Sequence, residues 1–150
     1  EKSAAELELA QALEAFRTAD QELRAAKSSQ DSLASKADYD LGEDYRWFSL
    51  VDRCVERRDQ EYTYKVCFFE SAKQDHMSLG EFSGWEGSDK SKVMLYTGGS
   101  KCYDGPERSM RVVLTCGAKA ELLSVWEPSR CAYEAVATDV SACGPEDLEE

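Results

Sequence analysis

The stretch "YTYKVCFF", residues 62–69, decides the fold class. Aromatic or β-branched residues occupy every second position from Tyr62 to Phe68, which is the spacing of a strand with one buried face. Similar segments follow at KVMLY (92–96), MRVVLTC (110–116), AELLSVW (120–126) and CAYEAVA (131–137). Turn signals separate them at TGGS (97–100), YDGPE (103–107), CGAK (116–119) and EPS (127–129). Five or more short strands without an intervening helix predict a mainly β domain, a flattened barrel or sandwich.

The first part of the chain has a different period. Apolar residues recur at alternating steps of four and three, as in a coiled coil, at Ala5, Leu9, Ala12, Phe16, Ala19, Leu23, Ala26 and, weakly, Leu33. Ser3 and Glu6 match a capping box, so we expect a helix from about Ala4 to Ser28 or a few residues beyond. Its alanine-rich seam is marginally stable alone and predicts a pairing partner. With an acidic linker after the helix, the sequence predicts two regions, 1–46 and 47–150.

The composition limits the classes of partner. The net charge is -12, whereas binding to phosphate backbones or anionic membranes depends on clustered Lys and Arg. We therefore expect neither nucleic acid nor a membrane surface as a partner. Apolar runs such as residues 93–96 are far shorter than the roughly 20 residues that a membrane span needs. No apolar leader follows Glu1, so the sequence predicts no signal peptide.

The 6 cysteines indicate an oxidised framework of three disulfides. A zinc site is the alternative, but Cys54 and Cys67, the closest pair along the chain, lack metal-ligand spacing and His76 is the only histidine. The spacing alone does not choose among the possible pairings. The segment DYDLGED (38–44) alternates like a calcium loop, but Glu43 and Ser49 stand where an EF-hand needs glycine and glutamate. We expect no metal, no cofactor and a location in the secretory pathway or outside the cell.

The polar residues favour binding over catalysis. No Gly-x-Ser-x-Gly motif is present, and the lone His76 lies in a polar segment expected to be a loop, as is Gln74. One alternative is a small glycosidase in which Glu127 pairs with Glu134 or Glu81.

Arg108, Glu127 and Tyr133 suit a ligand rich in hydroxyl groups. An arginine only donates hydrogen bonds, a carboxylate only accepts them, and a phenol does both. Pro106 stiffens the turn before Arg108, and Cys131 lies between Glu127 and Tyr133. A surface ion pair between Arg108 and Glu127 is the simpler alternative. Large aromatics dominate small β cores, so Trp85 and Trp126 are expected in the core.

The β half resembles the mannose 6-phosphate receptor homology (MRH) family, most closely the members of the glucosidase II β subunit type. The resemblance spans about Asp52 to Cys143. It is carried by EYTYKVC (61–67), Gln74 after Cys67, GW (84–85), KCYDGPERS (101–109), VVLTCG (112–117) and EPSRCAYE (127–134).

The resemblance implies a mannose-binding lectin. By motif, the residues that bind one terminal mannose fall on Gln74, Arg108, Glu127 and Tyr133. Gln74 and Arg108 would bind the axial 2-hydroxyl, and the other two the 3- and 4-hydroxyls. Tyr103 stands where the family often has tryptophan, which leaves a smaller apolar wall. The implied disulfides are Cys54–Cys67, Cys102–Cys131 and Cys116–Cys143.

The resemblance also implies a function. This would be a non-catalytic module that binds high-mannose N-glycans in the lumen of the endoplasmic reticulum and presents them to a glucosidase II catalytic α subunit. An MRH lectin of endoplasmic-reticulum degradation is the alternative within the family. Those lectins carry a double tryptophan, whereas this chain has Trp85 after Gly84.

Overall fold

The structure is a computed structural model that describes residues 1–148, without the side chains of Asp89 and Leu148. The chain divides into two compact units, Glu1–Tyr39 and Asp40–Glu150. The sequence placed a boundary after residue 46. In the structure residues 40–46 fold with the second unit, for reasons given below.

The first unit is one helix, α1, at Ala4–Lys36. The predicted capping box is present, because the Glu6 N–H donates to Ser3 Oγ at 3.2 Å and the Ser3 N–H donates to the Glu6 carboxylate at 3.0 Å. The helix continues beyond Ser28 because the polar residues that follow include no glycine or proline to end it. No residue of α1 is buried within the described part of the chain. The partner for its seam remains a prediction.

The second unit is built on eight strands. They are β1 (Cys54–Arg58), β2 (Thr63–Cys67), β3 (Ser71–Gln74), β4 (Met77–Trp85), β5 (Val93–Thr97), β6 (Ser109–Cys116), β7 (Glu121–Ser129) and β8 (Ala132–Asp139). They form one sheet in the order β1-β2-β3-β4-β5-β6-β8-β7. The edge strands β1 and β7 lie against each other, so the sheet is a nearly closed barrel. The predicted mainly β barrel is confirmed.

Three local predictions are wrong. Gln74 is the last residue of β3 and is buried, where a loop was expected. The EPS segment belongs to β7 and is no turn between strands, because a register shift between Trp126 and Ser129 accommodates Pro128 within the strand. The same irregular edge leaves Trp126 42% exposed opposite Glu134, so Trp126 is not a core residue.

The strand registers define two ends of the barrel. All neighbouring strands are antiparallel except β6 and β8, which are parallel. The first residues of β2, β4, β6 and β8 therefore lie at the same end as the last residues of β1, β3, β5 and β7. Arg108 immediately precedes β6 and Trp85 ends β4. We call the end that carries Arg108 the Arg108 end. We call the opposite end the Trp47 end, because Trp47 packs on Trp85 there.

The Trp47 end is closed by the segment of residues 40–50. Trp47 is fully buried and stacks on Trp85 with ring centroids 5.0 Å apart. The Trp85 Nε1–H donates to the carbonyl of Asp40 at 2.9 Å, and Arg46 Nε donates to the carbonyl of Ser141 at 2.7 Å. These contacts bring the residues expected as a linker into the β unit.

The interior of the barrel is apolar. Its fully buried side chains include Val66, Phe68, Leu79, Met94, Tyr96, Met110, Val112 and Leu114. Gly80 allows β4 to approach β5 closely, because a Cβ there would lie 2.6 Å from the backbone nitrogen of Thr97. The three disulfides are Cys54–Cys67, Cys102–Cys131 and Cys116–Cys143, the pairs that the resemblance implies. Among the described residues, no helix combines the length and the apolar character that crossing a membrane requires.

Candidate functional site

The candidate residues meet at the Arg108 end of the barrel. Gln74 ends β3, Arg108 precedes β6, Tyr133 is the second residue of β8, and Glu127 lies near the end of β7. The strand registers place all four positions at this end, although they are far apart in sequence. No direct hydrogen bond joins their side chains within residues 1–148. Backbone groups join Glu127 to the strand of Arg108, and a further tyrosine, Tyr64, binds Gln74.

Arg108 is held by the turn that precedes it. The Gly99 N–H donates to the Arg108 carbonyl at 2.9 Å, and the Arg108 N–H donates to the Ser100 carbonyl at 3.0 Å. A Cβ at Gly99 would lie 2.6 Å from the Arg108 carbonyl oxygen, so a glycine is needed here. Arg108 Nη1 donates to the carbonyls of Ser100 and Lys101 at 3.3 and 3.1 Å. The guanidinium is therefore fixed before any ligand binds.

The Nε–H of Arg108 is a buried donor without a partner. Among the described residues it has no hydrogen-bond acceptor, and solvent does not reach it. Leaving a buried donor unpaired costs roughly 1–3 kcal/mol. Such a group at the end of a barrel indicates a place where an outside acceptor, such as a hydroxyl oxygen, would be stabilised.

Glu127 is joined to Arg108 through Cys131. Glu127 Oε1 accepts the backbone N–H of Cys131 at 2.7 Å, and the Cys131 carbonyl accepts the N–H of Ser109, the residue after Arg108, at 3.2 Å. Cys131 has a φ of 66°, a left-handed conformation that is unfavourable for a residue with a Cβ. The carboxylate and the Cys102–Cys131 disulfide hold it there. The turn between β7 and β8 thus fixes Glu127 beside Arg108's strand.

Gln74 is hydrogen-bonded to Tyr64, and Tyr133 lies near Tyr64. All three side chains are buried, with 7–8% of each residue exposed. Gln74 Nε2 donates to the Tyr64 hydroxyl oxygen at 3.0 Å. Burial raises the pKa of Tyr64, the Gln74 hydrogen bond opposes that rise, and the Asp59 carboxylate and then the Tyr133 phenol add to it. Tyr64 therefore stays protonated at neutral pH.

Tyr103 lies in the turn that precedes Arg108. Its side chain is 90% exposed, and its carbonyl accepts a hydrogen bond from Arg130 Nη2. The Cys102–Cys131 disulfide ties its turn to the turn between β7 and β8 that follows Glu127. A cavity of about 460 Å³ is lined by Asp59, Gln60, Glu61, Tyr62 and Tyr64. Tyr64 thus has contact both with this cavity and with Gln74.

The two carboxylates suggested as catalytic partners of Glu127 have other contacts or positions in the structure. Glu134 forms an ion pair with Arg111 at 2.8 Å, and Arg111 also binds Glu86 at 2.7 Å. This pairing lowers the pKa of Glu86 and commits Glu134 to a structural contact. Glu81, the other suggested partner of Glu127, lies on β4, and three strands separate β4 from β7. Neither of the two suggested carboxylates is therefore placed to act with Glu127.

A cluster that resembles a metal site has another explanation. Cys116, Cys143 and Asp147 lie close together, but both sulfurs belong to a disulfide and have no thiolate to offer. His76 lies in the turn between β3 and β4 and is exposed. The described residues thus present no other group of metal ligands.

Tyr64 is the member of the site that the sequence did not single out. It pairs directly with Gln74 across β2 and β3, and both side chains point into the barrel. The alternation in YTYKVC placed Tyr64 on the buried face. Because SAKQ was not recognised as a strand, nothing in the sequence linked it to Gln74.

Comparisons with known proteins identify the family of the chain. The pattern of the family described as "Glucosidase II beta subunit-like protein" matches residues 13–150. The chain is 35% identical to "Glucosidase 2 subunit beta" of Oryza sativa subsp. indica over 134 residues, 88% of this chain and 22% of that protein. It is 33% identical to the protein of the same name in Schizosaccharomyces pombe, covering 90% of this chain and 27% of the relative. The chain thus spans about a quarter of these relatives or less.

A solved structure is similar to the β unit. The crystal structure of the MRH domain of glucosidase II beta bound to mannose superposes with a TM-score of 0.59 at 34% identity. The match covers 65% of this chain and 99% of that domain.

Proposed function

This chain belongs to the glucosidase II beta subunit-like family, and on that premise we propose that its β unit is a non-catalytic lectin module that binds terminal mannose. The similar MRH domain, solved with mannose, supports the choice of sugar. The proposed mannose-binding residues are Gln74, Arg108, Glu127 and Tyr133, with Tyr103 as an outer aromatic wall.

The observation that carries the proposal is the unpaired Nε–H of Arg108. It is a buried donor on a guanidinium already fixed by two backbone carbonyls. A sugar hydroxyl oxygen is an uncharged acceptor that fits such a donor without bringing a second charge into the site. A guanidinium that served only as a surface ion pair would meet a carboxylate, and no such pair with Arg108 occurs among the described residues.

The other groups complement a hexose. Gln74 offers an amide oxygen, Glu127 a carboxylate, and Tyr133 a phenol that both donates and accepts. We infer that Arg108 and Gln74 bind the axial 2-hydroxyl, and that Glu127 and Tyr133 bind the 3- and 4-hydroxyls. Because Glu127 Oε1 already accepts from the Cys131 N–H, its other oxygen would face the sugar.

The strength of binding follows from these contacts. Each hydrogen bond contributes roughly 0.5–1.5 kcal/mol net, and more where one partner is charged. After the loss of the ligand's freedom, a single mannose should bind with micromolar to millimolar affinity. Such a module acts by increasing the local concentration of a glycan near another activity.

For the whole protein we propose the role that the names of its relatives suggest. The lectin would hold high-mannose N-glycans on glycoproteins and present them to a glucosidase II catalytic α subunit in the lumen of the endoplasmic reticulum. The three disulfides support an oxidising compartment of this kind. Trimming of glycans would belong to the partner and not to this chain.

The proposal is tested by calorimetric titration with mannose, galactose and a mannose disaccharide. We expect saturable binding of mannose and at least about tenfold weaker binding of galactose, which differs at the 2- and 4-hydroxyls. Arg108→Lys loses the fixed fork of donors and should weaken mannose binding at least about tenfold. Glu127→Gln should do the same.

The controls are the same changes on α1, Arg24→Lys and Glu22→Gln, which should leave binding unchanged. Thermal unfolding of each variant verifies that it is folded. A wild-type chain that shows no binding of mannose would overturn the proposal. So would a release of sugar from high-mannose glycans that Glu127→Gln abolishes, since this would make the chain an enzyme.

A further inference from the structure

Tyr64 and Gln74 form a buried polar pair whose geometry has a direction. The two residues lie opposite each other on β2 and β3, and both side chains face the interior. Gln74 Nε2 donates to the Tyr64 oxygen at 3.0 Å. An amide group has a donor end and an acceptor end, so engaging Nε2 with the phenol turns Oε1 away from it.

The orientation of Gln74 decides what the amide can do for a ligand. With Nε2 held by Tyr64, the side chain presents Oε1, which only accepts hydrogen bonds. Arg108, on the other side of the site, only donates them. A hydroxyl between the two would receive a hydrogen bond from the arginine and give its own hydrogen to Gln74. A reversed amide would offer a second donor and leave that hydrogen without an acceptor.

We propose that Tyr64 is a positioning residue that fixes the Gln74 amide as an acceptor and thereby sets the preference for mannose over its 2-epimer, glucose. This inference rests on the proposed function. The two sugars differ only in the direction of the 2-hydroxyl, and Gln74 Oε1 would accept the hydrogen of that hydroxyl. The Tyr64 phenol, which holds the amide, therefore affects the ratio of the mannose and glucose affinities. Tyr64 acts through Gln74.

The surroundings of Tyr64 support this role. Its ring is buried and meets the ring of Tyr62 edge to face, with centroids 6.3 Å apart. The phenol therefore has a fixed position from which to hold the amide. Low solvent access also strengthens the hydrogen bond that holds the amide.

The test replaces the phenol and keeps the ring, in Tyr64→Phe. We expect mannose affinity to fall about 3- to 10-fold and the mannose-to-glucose ratio to fall with it, because the amide can then turn. Tyr45→Phe, at a tyrosine 75% exposed, is the matched control and should change neither quantity. In Gln74→Met, the further change Tyr64→Phe should have no additional effect.

A second measurement does not depend on sugar. In the ligand-free protein, the two side-chain amide protons of Gln74 should exchange with solvent much more slowly than those of the exposed Gln60, and Tyr64→Phe should remove that protection. Should Tyr64→Phe fail to fold, the wild-type comparison of Gln74 with Gln60 decides.

The outcomes separate the two proposals. Equal exchange at Gln74 and Gln60, or an unchanged affinity ratio in folded Tyr64→Phe, would overturn the role of Tyr64 and leave the lectin intact. If the wild-type chain does not bind mannose while the Gln74 amide is protected as expected, the lectin proposal and the effect of Tyr64 on sugar preference are both overturned. Only the fixed orientation of the Gln74 amide would then stand.

Discussion

Arg108 illustrates how a short turn can hold a long side chain in place. Freezing a flexible side chain on binding costs roughly 0.5–1.5 kcal/mol. Here two backbone carbonyls already bind Nη1, and the close approach of Gly99 fixes the backbone. Most of that cost is met when the protein folds. The buried Nε–H, which has no partner among the described residues, is therefore ready for a ligand.

The residues of the site were predictable to different degrees. Arg108, Glu127 and Tyr133 could be predicted because they lie in motifs anchored by Cys102 and Cys131. Gln74 was predicted only by its spacing from Cys67. Tyr64 could not be assigned a role, since its partner is distant in sequence and hydrogen-bond direction is a property of the folded structure.

The buried tyrosines predict an alkaline limit to stability. Burial raises the pKa of Tyr64 and, far more strongly, that of Tyr96 above the ordinary value of 10.0. Above pH 10 the unfolded chain releases protons that the folded protein retains, so the free energy of unfolding must fall as pH rises. The stabilisation from these protonated phenols is fully present below pH 10. It is lost as the pH rises towards the pKa values that the two tyrosines have in the folded protein.

Urea unfolding between about pH 8 and pH 11 measures this effect. Tyr96→Phe removes the more strongly shifted group and should flatten the dependence above pH 10. It also removes the hydrogen bond from the Tyr96 hydroxyl to the Cys67 carbonyl, so its stability at pH 8 should be lower. A stability that stayed constant up to pH 11 in the wild type would contradict the burial of these phenols.

At the scale of elements, the strands show where sequence patterns succeed. The segments with regular alternation and many β-branched residues, β2, β5, β6 and β8, were predicted, and so was β7 as far as Trp126. β1, β3 and β4 were missed because they are short, polar on one face or interrupted by Gly80 and Gly84. Propensity is weak in such segments, and pairing with neighbouring strands decides their conformation.

The two longer disulfides should have equal effects on stability and different effects on binding. Cys102–Cys131 and Cys116–Cys143 close loops of similar length, with separations of 29 and 27 residues. Removing either should lower the free energy of unfolding by about 3–4 kcal/mol. Only the first lies at the Arg108 end, and the other is at the far end of β6, roughly 25 Å away.

Double alanine variants of each pair test this difference. We expect the Cys102→Ala, Cys131→Ala protein to lose mannose affinity at least about tenfold, because Glu127 and Arg108 lose their common support. The Cys116→Ala, Cys143→Ala protein should bind within about twofold of the wild type under conditions where both are folded. Equal losses in the two variants would show that the Cys102–Cys131 bridge has no special relation to the site.

At the scale of the whole molecule, the chain separates a helix from a barrel with two unlike ends. Trp47 and the segment of residues 40–50 close one end, and the candidate residues surround the other. The sequence predicted the helix and the barrel. It did not predict that residues 40–46 pack on the barrel, because they are polar and make their contacts through Arg46 and the carbonyl of Asp40.

Truncation distinguishes these two boundaries. A protein of residues 40–150 should bind mannose within about twofold of the full chain, since every proposed contact lies in this unit. A protein of residues 47–150 lacks the hydrogen bonds from Arg46 and Trp85 and should be less stable by roughly 1–3 kcal/mol. Thermal unfolding and mannose titration of both proteins measure this, and equal stability would favour the boundary after residue 46.

The most direct test of the central claim is a mannose titration followed by NMR of the isotopically labelled chain. The account predicts that chemical shifts change at Gln74, Arg108, Glu127 and Tyr133 together, with a common dissociation constant, while Trp47 and α1 stay unchanged. Shifts confined to the Trp47 end or to α1, or a spectrum that mannose does not alter, would contradict it.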